Sequence, residues 1–200
     1  MEGGLEQLVQ SGDAASVASH CEQCELNLDH ASLAPEASAA LYKAQLAAYL
    51  LTERLDDARF LWKRLPAMLR DSDPELGALW AIGRVMWLKD AAAAQAAMRA
   101  HAWSPLIAPL VAQLQREQVT RMFGQVAKAY THVSAESLAQ SLGVPVQTVH
   151  EMATVASWTT DAESGAYVPV ANESAAKAPF IQKLERFTEY IAHVEKDMAR

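Results

Sequence analysis

Few residues in this chain are of a type and spacing that could do chemistry. Cys21 and Cys24 stand in His20-Cys21-Glu22-Gln23-Cys24, with His30 further on. Thiolates and imidazoles so placed are zinc ligands, but a structural zinc takes four, and no second Cys or His pair follows at standard spacing. The chain has no other cysteine, too few for a disulfide framework. Both fall within a helical pattern, three residues apart on one face, and read as small buried apolar side chains. There is no Gly-x-Ser-x-Gly elbow, no glycine-rich phosphate loop and no His-Glu-x-x-His. The six histidines are scattered. No catalytic, cofactor-binding or metal-binding residue is expected, and the chain reads as a non-enzyme.

Binding chemistry is what remains, and residues 131–170 carry the first candidates. Ser134 is a good helix N-cap, Leu138 and Leu142 share a face, and Gly143 suits the left-handed position that ends a helix. Pro145 suits a first helical residue, and Val146, Val149, Met152 and Ala156 make an apolar stripe. Trp158-Thr159-Thr160 and Tyr167-Val168 favour strands, joined by turn-forming Asp161, Ser164 and Gly165. Helix, turn, helix and two short strands form a winged-helix pattern. Such a module often holds nucleic acid, but residues 129–176 contain five acids and no Lys or Arg. A duplex binder needs cations to neutralise phosphates, and the second helix would instead bring Glu151 to them. Trp158, Tyr167 and Val168 are therefore candidate protein-binding residues on a short sheet with unpaired edges.

The second candidate is the C-terminus. Phe180, Leu184, Phe187, Ile191, Val194 and Met198 are spaced four, three, four, three, four, an unbroken heptad seam over residues 177–200. The small, polar residues 171–176 precede it as a linker. An isolated amphipathic helix of about twenty residues is marginal in water. Its stripe needs cover, and the partner-helix reading is preferred over packing back at home.

The elements that must position these sites are helical. Alanine, leucine and other helix formers dominate residues 1–130. Patterning gives helices near 5–10, 13–26, 36–52 and 55–65, a fifth from Asp73-Pro74 to about Lys89, and a sixth, alanine-rich, from Asp90 towards Trp103-Ser104-Pro105. A long helix from Leu106 to Tyr130, broken early by Pro109, leads into the module. A shift of 36 residues aligns Ala58 with Ala94, Leu61 with Ala97 and Trp62 with Met98, close to the ~34 residues of tetratricopeptide-like hairpins. Stacked helical pairs present extended surfaces to other proteins. Most of the tryptophans and tyrosines stand at helical spacing with other apolar residues and are expected in the core.

Of 200 residues, 51% are hydrophobic, enough for a core, and the net charge is −7. Residues 1–42 hold seven acids and no Lys or Arg, whereas residues 43–128 hold twelve basic and eight acidic residues. Arg59, Lys63, Arg64, Arg84 and Arg99 are mixed with acids there and read as a solvated surface. The N-terminus has neither the basic nor the apolar region of a secretory signal, and no apolar run approaches the ~18 residues of a membrane span. A soluble intracellular protein is expected.

Helical pairs, a winged helix and a terminal helix are the layout of a PCI domain. The residues sharpen the match: Ala58-Arg59-Phe60-Leu61-Trp62-Lys63-Arg64-Leu65-Pro66, Pro74-Glu75-Leu76, Trp80-Ala81-Ile82-Gly83, Trp87, Trp103-Ser104, Arg121-Met122-Phe123, Ala129-Tyr130 and Leu142-Gly143. In that order, over roughly residues 40–195, the chain resembles the PCI-domain family of signalosome subunit eight. The resemblance implies a structural subunit without an active site, found in cytoplasm and nucleus. The COP-nine signalosome removes the ubiquitin-like Nedd8 from cullins through a zinc centre in another subunit. It also implies assembly with other PCI subunits through the winged-helix edge and a shared bundle of C-terminal helices, with no nucleic acid, membrane or cofactor. Related PCI subunits of the proteasome lid and of a translation initiation factor, and nucleic-acid-binding PCI adaptors, are the alternatives.

Overall fold

Capping and apolar periodicity account for most of the helix boundaries. The computed structural model describes residues 2–27, 35–161 and 165–169, and among these it has ten helices and one two-stranded sheet. Helix α1 spans Glu2–Ser11 and α2 spans Ala14–Asn27. Between them the Asp13 carboxylate accepts from the amides of Ala15 and Ser16, satisfying donors that the first turn of α2 leaves orphaned. Helix α3 (Pro35–Leu51) is the centre of the stack, packed on α2, on α4 (Leu55–Arg64), on α6 (Pro74–Trp87) and on α8 (Ala108–Ala129). Its consecutive residues Ala44 to Leu51 are all buried, as a helix surrounded by others requires.

Two features from α4 to the end of α6 depart from the sequence pattern. Six residues, Ala67–Ser72, form the short helix α5, which lies between Pro66 and Asp73-Pro74 and is too short to show a period. Asp73 then caps α6 as expected, accepting from Glu75 and Leu76, with Pro74 in the first turn. Trp87, expected inside, is 48% exposed at the end of α6, and Leu88, the capping residue after it, is 75% exposed.

Helix α7 (Ala91–Ala100) is capped by Asp90 and ends at His101, before Trp103. Pro109 does not break the long helix. Helix α8 begins at Ala108, so Pro109 falls in the first turn, where its missing amide has no partner to lose. Helices α9 (Ala135–Leu142) and α10 (Val146–Val155) follow, then strands β1 (Thr159–Thr160) and β2 (Tyr167–Val168).

The described residues form two cores, and α8 serves both. Leu110, Val111 and Leu114 complete a core that begins at Leu5. About three turns later, Phe123 and Val126 belong to a second core with Leu138, Leu142, Val149, Trp158 and Tyr167. Among the described residues no helix is long and apolar enough to cross a membrane. Phe180, Leu184, Phe187, Ile191, Val194 and Met198, with the linker before them, lie outside the described residues.

Candidate assembly edge

Local chemistry sets up residues 131–169. Ser134 Oγ accepts from the Ser137 amide at 3.2 Å and starts α9. Gly143 at φ +66° ends it, with its amide on Gln140 O and that of Val144 on Ala139 O. Pro145 stands one place earlier than the pattern suggested, as the N-cap of α10. Its fixed φ fits there equally well, since the residue before the first helical turn is extended.

The site's aromatic centre is a continuous stack. Phe123 of α8 lies parallel to Trp158 at 4.2 Å between centroids, and Trp158 meets the edge of Tyr167 at 6.3 Å. The Tyr167 hydroxyl in turn meets His150 Nδ1 of α10. Trp158 and Tyr167, singled out as partner-binding residues, thus both point into the second core, while Val168 is half-buried. Their side chains hold the strands against α8 and α10.

The sheet has one member more than the pattern showed. Strands β1 and β2 pair antiparallel, Thr159 with Val168 and Thr160 with Tyr167. On the other side of β2, Val133 and Tyr167 exchange both backbone bonds, at 2.9 and 2.8 Å. Strand β2 is therefore flanked on both sides, and β1 is the outer strand. The pairing alternates: Asp161 N donates to Ala166 O at 2.9 Å, so Thr160 occupies the next, non-hydrogen-bonded place. Its N–H and C=O point away from β2, the geometry that accepts an added strand. Both residues of β1 are exposed. A single-residue bridge leaves no period, so the sequence pattern carries no sign of Val133 in the sheet.

An apolar depression of about 310 Å³ adjoins this stack, lined by Phe123, Met152, Val155 and Ala156 with Glu151 at its margin. Val155 is 88% exposed. It falls off the stripe of Val149, Met152 and Ala156, and that offset was the available signal. Arg99 secures the module to the helical stack, donating from Nη2 to Gly143 O at 2.8 Å.

Elsewhere, Cys21 is fully buried, and burial pushes its thiol up to about 12, so it stays protonated at neutral pH. Cys24 Sγ lies 3.6 Å from His20 Nε2. Among the described residues no three His, Cys, Asp or Glu side chains converge as a metal site, and His30 lies outside them.

Residues 36–178 match the model of a family described as the CSN8/PSMD8/EIF3K family. The chain is 33% identical to COP9 signalosome complex subunit 8 of Xenopus laevis over 177 residues, 88% of this chain and 89% of that protein. It is 32% identical to the subunit of that name from Arabidopsis thaliana, over 77% of this chain and 79% of the relative. The Dictyostelium discoideum protein so named is 20% identical over 96% of both.

Proposed function

The chain belongs to the CSN8/PSMD8/EIF3K family, and on that premise we propose that it is a structural subunit of the COP9 signalosome. In this reading it has no active site and supports removal of Nedd8 from cullins by holding other PCI subunits in place. Residues 1–130 are its helical-repeat region, residues 131–170 a winged-helix subdomain, residues 171–176 a linker and residues 177–200 a helix for a shared bundle. Both compartments, cytoplasm and nucleus, follow from that role.

The observation that carries the docking role is the outer strand. Thr160 offers a backbone donor and acceptor on a module without Lys or Arg, and the apolar depression is lined by Phe123, which stacks on Trp158 just before β1. Such an edge suits a neighbouring strand and repels phosphate.

Affinity purification of the tagged full chain, with identification of the co-purifying chains, tests the reading. Signalosome subunits are expected, whereas proteasome-lid or initiation-factor chains in their place would overturn it. Thr160→Pro removes the outward N–H without touching the β1–β2 ladder. It should lower that recovery about tenfold, taking ~1.4 kcal/mol for a lost interfacial hydrogen bond, and leave the melting temperature unchanged. Undiminished recovery would exclude the edge.

A further inference from the structure

A groove of about 400 Å³ opens between α4 and α6, in the first core's half of the molecule and sharing no residue with the β1 edge. Its floor is preformed. Trp80 is held parallel to Trp62 with centroids 5.3 Å apart. Gly83 beside it is packed so closely that an added Cβ would lie 3.1 Å from Leu50 Cδ2. Exposed Trp87 and Leu88 form a lip of the groove. Large apolar side chains that stay in water as one contiguous patch, rather than singly, mark a docking place.

The charges lining the groove are of one sign. Arg59 and Arg84 both line it, both are exposed, and no carboxylate does. Several other arginines are engaged: Arg54 with Glu22 and Asp57, Arg64 with Glu25, Arg121 with Glu117. Among the described residues the Arg59 and Arg84 guanidinium groups have no ion pair or hydrogen-bond partner. Two cations are too few to track a phosphate backbone, and a protein of net charge −7 repels a polyanion. They are the right complement for carboxylates flanking an apolar anchor, and Trp and Arg are the residue types that dominate docking energetics.

We propose that the α4–α6 groove docks an acidic amphipathic segment of a partner protein, with Leu or Phe seated against Trp80 and Trp87 and Glu or Asp on Arg59 and Arg84. This occupant is additional to whatever pairs with β1, and either surface can fail without the other.

The test uses the full chain and a labelled helical peptide with Leu and Phe on one face and Glu at its flanks, together with a twin carrying Lys in place of Glu. Fluorescence anisotropy should show binding of the Glu peptide, weakened by added salt. Arg59→Glu with Arg84→Glu should weaken it about tenfold or more and transfer binding to the Lys twin. Equal binding of both peptides, or no effect of the double substitution, would overturn the proposal. So would self-association, or binding of a single-stranded RNA, that the substitutions abolish while the Glu peptide is unaffected. If the double variant does not fold, Trp87→Gln at the exposed lip takes its place, with a severalfold weaker Glu peptide expected and unchanged affinity overturning the proposal.

Discussion

Gly143 meets two demands that no other residue type satisfies together. Its φ of +66° costs an L side chain about 1 kcal/mol, and a Cβ there would lie 2.8 Å from Ala92 Cα, inside backbone contact. Relief requires α9 to move off α7, where Arg99 bonds Gly143 O and the Gln95 side chain would crowd the added Cβ at 3.2 Å. Gly143→Ala should therefore destabilise the chain by about 2–3 kcal/mol, read as a lower midpoint in urea unfolding. Gly124→Ala is the control. It lies within α8 with nothing within 4 Å of the added Cβ, so a gain of about 0.5–1 kcal/mol is expected from helix propensity. Equal effects would refute the close-approach argument. Gly143 was legible as a helix end because turn chemistry is local, but its contact with Ala92 depends on residues far apart in the chain. The same distinction explains Trp87, which helical spacing assigns to the core and packing leaves at a groove.

Helices α2, α3, α4 and α6 are tied by charges whose partners the sequence placed in separate segments. The acids of residues 1–42 do not stand alone. Glu22 pairs with Arg54, and Glu25 takes Arg64 with two bonds of 2.8 and 2.6 Å. Lys43 of α3 donates to Glu75 at 2.9 Å and pairs with Asp73 at 3.1 Å, while Glu75 also accepts from the Ser104 amide at 2.7 Å. Burial alone would raise both carboxyls, but the Leu76 amide and Lys43 outweigh it at Asp73, as do Ser104 and Lys43 at Glu75. Both are held below the usual carboxylate range. Such groups stabilise fully above that range and lose their contribution as pH falls through the depressed folded values. Lys43 is shifted the other way: burial lowers it, Glu75 and Asp73 more than compensate, and its contribution is lost only as pH rises past its raised value. The melting temperature should thus drop below about pH 4. Lys43→Met should cost about 2 kcal/mol at neutral pH and make that acid loss shallower. An unchanged acid slope would show that the carboxylates are not coupled to Lys43. Helix existence and capping were readable from period and side-chain type. These cross-links were not, because a charge pattern along one strand of sequence does not say which helices will meet.

At the scale of the molecule, the two cores divide the chain within α8, and among the described residues they draw on positions 5 to 167. Residues 177–200 carry a heptad seam that needs another surface to cover it. Two fates are physically distinct. If the seam packs on this chain's own cores, its removal exposes apolar surface and lowers stability. If it joins helices of other subunits, its removal costs assembly alone. We predict the second. Deletion of residues 177–200 should leave the thermal melt by circular dichroism within a few degrees of the full chain. A shift of that size corresponds to under about 1 kcal/mol for a chain of this length. Recovery of partner chains in affinity purification should fall sharply. Unchanged recovery would sink the partner-helix reading, and a large drop in melting temperature would place the seam on this chain's own surface. The measurement is independent of the β1 edge, because Thr160→Pro and the deletion remove separate attachments. Losses that multiply when the two are combined would mark them as independent contacts, whereas a combined loss no greater than either alone would mean that one partner surface spans both.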